Sequence, residues 1–276
     1  MASYCHKHLL EGLQDPRKPL GMATRYIDLR ISRQLCYYSF LEPTARQEKA
    51  VPLGLVVAEA KGSTKMAKGR CLGDLIHIAL YLCLRSFEYT KTNSHKRTTQ
   101  FRFRDLQFHD ASGILPFDAP ALRIRRASPV TLYLDTQKNS IRRESITMEA
   151  TGITFGRAVG AAAERLLHVR LHCVDLDTTR CTYFSSGRSE GSSVTRRHVV
   201  TILRLWEGHI GFQRLGFRPT EVGSQYLWSG GAMTLHQAGI SGSTIKVIGR
   251  WKSDAFVIYL QGRVLSFTKG IATAMK

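Results

Sequence analysis

Residues 74–84 read Asp-Leu-Ile-His-Ile-Ala-Leu-Tyr-Leu-Cys-Leu, apolar nearly all the way round when wound at helical period. A helix with no solvent face has to be surrounded by other elements, so this run predicts a buried helix, with Asp74 as its N-cap and Arg85 at its end. Alternation follows. Phe101, Phe103, Leu106 and Phe108 suggest a strand pair or a bulged strand. Leu122 and Ile124, then Val130, Leu132 and Leu134, then Ile146 and Met148 continue a small antiparallel sheet, with Lys138-Asn139-Ser140 as a hairpin tip. After Gly156 the period turns helical through Ala158, Ala161, Ala162, Leu166, Leu167, Val169 and Leu171. Residues 185–193 form a Ser/Gly loop. Helices are expected over 194–207, 225–238, 243–249 and 254–260, with Gly239 as the left-handed residue that stops the second of these four. No internal repeat is visible. The expected class is α+β, mostly helical with a small antiparallel sheet.

Residues 1–60 are mixed in character and are expected to form a short N-terminal segment and linker, with Pro43 and Pro52 bracketing a polar stretch. The main domain is expected over 61–276. The chain carries 40 Lys and Arg against 21 Asp and Glu, a formal charge of +19. That balance points to a polyanionic partner, either nucleic acid or an anionic membrane surface. No apolar stretch approaches the roughly 20 residues that span a bilayer, and the first residues lack a signal-peptide core. Nucleic acid is therefore the better reading of the charge, and no membrane is expected as partner. The six cysteines show no paired spacing, which suggests reduced thiols in an intracellular protein. Cys83 reads as ordinary core.

Several residues could carry phosphate chemistry. Arg85 and Glu88 form an Arg-x-x-Glu pair directly after the buried helix, although most such pairs are solvated helix-end contacts worth under about 1 kcal/mol. Lys138 sits at the hairpin tip, where most lysines are simply solvated, and Arg142 and Arg143 beside it would contact DNA in either case. Near the C-terminus stand Gly223-Ser224-Gln225-Tyr226-Leu227-Trp228 and then Ile248-Gly249-Arg250-Trp251-Lys252-Ser253-Asp254-Ala255-Phe256-Val257-Ile258-Tyr259.

Taken together, these segments resemble the boxes of the tyrosine recombinases, phage-integrase-like enzymes that cut and rejoin DNA through a phosphotyrosine. The resemblance covers roughly residues 75–267, and its surroundings are similar to recombinase-like reading frames of eukaryotic mobile elements. In that family the nucleophilic tyrosine stands ten residues after a glycine, as Tyr259 does after Gly249. The resemblance implies Tyr259 as nucleophile, Arg85 as phosphate clamp, Lys138 as acid for the leaving 5′ oxygen, and Arg250 among the catalytic positions. Glu88 and Trp251 would be in supporting roles, with no metal. Double-stranded DNA as partner, no small-molecule cofactor, a nuclear location and a homo-oligomer on DNA are implied likewise.

The chain departs from the pattern at two places. The family's His-x-x-Arg box is occupied by Gln225 and Trp228. Glutamine neither shuttles a proton nor carries charge, and tryptophan offers one neutral N–H. Losing one such donor commonly costs about 10²–10³ in rate, so catalysis is expected to be impaired. His198, His209, Arg218 and His236 lie within reach in sequence as substitutes, without a spacing that requires any of them. The N-terminal segment is also shorter than the family's DNA-clamping domain. Two non-recombinase readings stay open: a non-enzymatic basic DNA-binding relic, and a helix-turn-helix module built from 225–238, the turn at Gly239 and 243–249. RNA binding is disfavoured by the lack of stacking motifs. A zinc site from His168, His172, Cys173 and Cys181 matches no common finger spacing.

Overall fold

The computed structural model describes residues 51–61, 67–91, 100–136, 142–150, 158–172, 175, 182–183, 191–211, 222–223 and 226–251, all within the compact unit Glu48–Lys276. The apolar run forms the centre of this unit. It belongs to α2, Ala67–Tyr81, which is packed by α1 (Leu53–Lys61), α5 (Ala158–His172), α6 (Arg196–Ile210) and α7 (Tyr226–Gln237). Leu75, Ile76, Ile78, Ala79 and Leu80 of α2 are all buried, as the absence of a polar face requires.

The helix differs from expectation at both ends. It starts at Ala67, and Asp74 lies inside it, accepting a 2.8 Å hydrogen bond from Arg165 Nε of α5. Hydropathy marks where a helix becomes buried, and here the first turns of α2 are polar. At the other end α2 stops at Tyr81, short of Leu84. Cys83 takes a left-handed conformation (φ 46°), Leu84 N–H donates to Ala79 O at 2.8 Å and Cys83 N–H to Leu80 O at 3.3 Å. That is a Schellman turn with cysteine where glycine is usual.

A four-stranded antiparallel sheet, order β2-β1-β3-β4, is built from β1 (Leu106–Asp110), β2 (Gly113–Leu115), β3 (Val130–Thr136) and β4 (Arg142–Met148). The β3–β4 hairpin pairs Val130 with Met148, Leu132 with Ile146 and Thr136 with Arg142, as its alternation predicts. Val130, Leu132, Leu134 and Ile146 face the same core as α2.

Two expected strands are helical turns instead. Around Phe103 the Asp105 carboxylate accepts the Arg102 N–H at 2.7 Å and closes a 3₁₀ turn, Phe103–Asp105. Around Leu122 and Ile124, the Pro120 carbonyl accepts from Arg123 N–H at 2.8 Å and Ile124 N–H at 3.2 Å, starting α4, Ala121–Arg125. Local hydrogen bonds outweigh a short period-2 pattern in both cases.

The helical second half follows the sequence closely. α6 is N-capped by Thr195, whose hydroxyl accepts the His198 N–H. α7 ends in a Schellman turn: Gly239 (φ 78°) donates to His236 O and Ile240 to Leu235 O. Ser241 then caps α8, Gly242–Gly249. Short strands β5 (Thr182–Tyr183) and β6 (Ser192–Ser193) pair antiparallel. The segment expected as a helix at 254–260 lies outside the described residues. Among the described residues no helix is long and apolar enough to cross a membrane.

Candidate functional site

The turn after α2 leaves backbone carbonyls at Leu82 and Cys83 that no helical N–H can reach. They are taken by a side chain from far along the chain. Arg250 NH1 donates to Leu82 O at 3.3 Å, and its NH2 donates to Cys83 O at 3.1 Å and to Glu88 Oε2 at 2.7 Å. The side chains of this ion pair are 2% and 0% exposed. A cation at the C-terminal end of α2 also complements the helix dipole.

Arg85 completes the cluster. It N-caps the short helix α3 (Ser86–Tyr89), where its backbone N–H donates to Glu88 Oε2 at 2.8 Å. Its guanidinium donates to the Arg250 carbonyl at 2.8 Å and lies 3.9 Å from Glu88 Oε1, with the side chain 18% exposed. One carboxylate thus holds two arginines, and only Arg85 has appreciable access to solvent. Burial lowers the Arg85 pKa, opposed by Glu88 and reinforced by Arg250. A guanidinium stays charged under such a shift. Burial raises the Glu88 pKa, opposed chiefly by Arg250. Removing one member of such a pair typically costs about 3–5 kcal/mol.

Trp228 of α7 stands beside Arg85, its ring centroid 5.9 Å from the guanidinium carbon, and its indole N–H donates to Gly249 O at 3.3 Å. The Trp228 and Trp251 rings are 4.1 Å apart and tilted by 41°. Trp251 lies so close over Gly249 that a Cβ there would overlap its six-membered ring. Position 249 therefore requires glycine for space, while the left-handed conformation that ends α8 falls on Arg250 (φ 57°, ψ 43°).

Of the residues singled out from sequence, Arg85, Glu88, Trp228, Arg250 and Trp251 come together, although Arg85 and Arg250 are 165 positions apart in the chain. Tyr259, Gln225 and Lys138 lie outside the described residues, as do the side chains of Arg142 and Arg143. Among the suggested substitutes, His198 lies in the first turn of α6, where its Nδ1 accepts the Thr195 N–H at 3.4 Å, and Arg218 is outside the described residues. Sequence reading missed Glu144 of β4, whose charge bears on both Arg85 and Glu88. Its signal was a glutamate in the inward-facing register of Ile146 and Met148. The Leu82 and Cys83 carbonyls were missed too, and backbone acceptors carry no sequence signature.

Cys83 is fully buried, and burial pushes its thiol up to about 12, in keeping with an inert core residue. The His168 and His172 rings are 5.0 Å apart; Cys173 and Cys181 lie outside the described residues, and among those described no group of three metal-ligating side chains assembles. An open groove of about 570 Å³ between α2 and α6, floored by Leu72, Ile202 and Leu205, shares no lining residue with the arginine cluster.

No protein-family model matches the sequence, and none of the curated proteins matches it. Among solved structures the chain is similar to the XerH site-specific recombinase bound to difH substrate in a pre-cleavage complex. Identity is 13% and the TM-score 0.47, covering 92% of this chain and 66% of that one, just under two thirds of its length. A likeness this loose transfers no residue role to the cluster described here.

Proposed function

We propose that this chain is a DNA-binding protein of the tyrosine recombinase type whose strand cleavage is impaired. The observation that supports the reading is the convergence of Arg85, Glu88, Trp228, Arg250 and Trp251. All five come from the segments in which the recombinase boxes are legible, and a partly exposed guanidinium stands among them. Arginine suits a phosphodiester because its planar fork can pair two phosphate oxygens. The formal charge of +19 supplies the non-specific attraction to the duplex.

In the ancestral reaction the Tyr259 oxygen attacks phosphorus, the bond to the 5′ oxygen breaks, and Lys138 protonates that leaving oxygen. The phosphotyrosine keeps the bond energy for rejoining. Charge building on the non-bridging oxygens needs fixed donors. Here Trp228, in place of an arginine, directs its one N–H at the Gly249 carbonyl, and Gln225 replaces the histidine. That is the ground for reading the site as binding-competent and slow. The same reading takes the chain as derived from a eukaryotic mobile element, acting in the nucleus and assembling as an oligomer on DNA.

A second reading has a specific feature behind it. α7, the Gly239 turn and α8 pack together as a helix-turn-helix, and Val247 on α8 is 77% exposed. A non-enzymatic binding module would need nothing more.

Nicked suicide substrates from a random-sequence pool, resolved on denaturing gels, separate the readings. The expected outcome is no adduct or a trace with the native chain, and a clear adduct with Gln225→His/Trp228→Arg that disappears when Tyr259→Phe is added. Duplex binding with no adduct from either protein would favour the binding module.

A further inference from the structure

Arg250 occupies a place where the backbone alone would favour a different residue. Its N–H donates to Val247 O at 3.1 Å and the Trp251 N–H to Lys246 O at 2.9 Å, the two bonds of a Schellman turn. The left-handed residue of that turn is usually glycine, because any Cβ is disfavoured there. The chain has a glycine next door, at Gly249, yet places arginine at the strained position. The Arg250 side chain must therefore contribute something that outweighs the backbone penalty.

What it contributes is on view at both ends of the residue. The guanidinium spans the Leu82 carbonyl, the Cys83 carbonyl and Glu88, tying the end of α8 to the end of α2 and to α3. The Arg250 side chain is 2% exposed and faces inward, so it is not presented to a ligand. The Arg250 carbonyl, meanwhile, receives the Arg85 guanidinium at 2.8 Å. Glu88 links the two, accepting from the Arg85 backbone and the Arg250 side chain through one oxygen.

We propose that Arg250 is a positioning residue for Arg85. By clamping Glu88 and the α2 carbonyls it fixes its own carbonyl as the acceptor that orients the Arg85 guanidinium beside Trp228. The inference rests on the reading of Arg85 as the phosphate contact, and it reassigns Arg250 from a catalytic position to a residue that acts through Arg85.

The test uses the full chain labelled with ¹⁵N, with the Arg85 side-chain Nε–H signal assigned by its loss in Arg85→Lys. The working variant is Glu88→Gln/Arg250→Gly. It removes both buried charges together, keeps an acceptor for the Arg85 backbone N–H, and places glycine at the left-handed position. The expected result is a folded protein in which the Arg85 signal, distinct in the native chain, moves into the averaged envelope of mobile arginines. An unchanged Arg85 signal in the folded variant would overturn the proposal. Should this variant not fold, Arg250→Lys takes its place, keeping a cation beside Glu88 without the planar fork, and the same two outcomes apply.

A second arm uses random-sequence duplex DNA and the slope of log K against log salt. Arg85→Ala is expected to flatten the slope by about one unit, the share of one phosphate contact. Adding Glu88→Gln/Arg250→Gly to Arg85→Ala should then change it no further. An additional loss of about one unit would mean that Arg250 itself meets a phosphate, against the proposal. If Arg85→Ala leaves DNA binding untouched, the phosphate reading fails by itself while the resonance result still decides whether Arg250 positions Arg85.

Discussion

Glu88 shows how far one side chain can determine a site. Its carboxylate is fully buried and holds Arg250 at 2.7 Å, with Arg85 at its edge. Changing Glu88→Gln keeps the acceptor and removes the charge, leaving Arg250 unpaired in the interior. The expected loss is about 3–5 kcal/mol in urea unfolding. Adding Arg250→Met should recover much of it, because no buried charge is then left alone. A single variant within about 1 kcal/mol of the native chain would mean the pair does not brace the fold. Asp74 makes a prediction of opposite character. Burial raises its carboxyl from 3.8 to about 6 despite the pairing with Arg165. The native state therefore holds the proton more tightly than the unfolded chain does, and Asp74's contribution to stability falls as pH rises from about 4 to 6. Measured against Asp74→Asn, the native chain should lose ground across that window; a pH-independent difference would contradict the shift. At this scale the sequence made Arg85 and Glu88 visible as a pair. It could not show that Glu88 is shared with Arg250, because that link spans 162 positions.

Among the elements, α7 is where composition and packing meet most directly. Glycine in mid-helix ordinarily costs about 0.5–1 kcal/mol relative to alanine. At Gly231, however, a Cβ would strike the Leu80 carbonyl and come within 2.7 Å of Cys83 Sγ; at Gly230 it would meet the Val51 carbonyl. The two glycines let α7 lie against the end of α2, which brings Trp228 to Arg85. Gly231→Ala is expected to destabilise by about 1–3 kcal/mol, the usual range for overpacking. Gly73→Ala, in α2 with nothing within 4 Å of the added Cβ, should instead stabilise by about 0.5–1 kcal/mol. Thermal melts of both variants check the contrast, and a stabilised Gly231→Ala would contradict the close approach. The β3–β4 hairpin, α5, α6, α7 and α8 were legible because each has sustained periodicity or a strong cap. The Phe103 and Leu122 turns were not, since two or three alternating residues cannot compete with an Asp105 side-chain bond or a Pro120 start. α1 was missed as well: nine residues with no cap signal owe their helix to packing on α2.

At the scale of the whole molecule, the charge of +19 dominates what the chain will meet in solution. Binding to duplex DNA is expected to weaken steeply with salt, log K falling by about 0.9 per neutralised phosphate for each unit of log salt. Titrations between 50 and 200 mM salt (roughly the range over which multi-phosphate binders lose most affinity) check this, and a flat profile would remove DNA from the reading. The sequence by itself determined the α+β class, the central apolar helix and the basic character, because periodicity and composition are local or additive properties. It also set Arg85, Trp228 and Arg250 in segments that resemble the boxes of a known family. Only the tertiary structure decided what those residues do to one another: that Arg250 turns inward to Glu88 and two backbone carbonyls, that Trp228 directs its N–H to Gly249, and that Arg85 alone of the two arginines reaches solvent. Burial, shared acceptors and the direction of a guanidinium depend on groups brought together by packing, and no spacing along the chain encodes them.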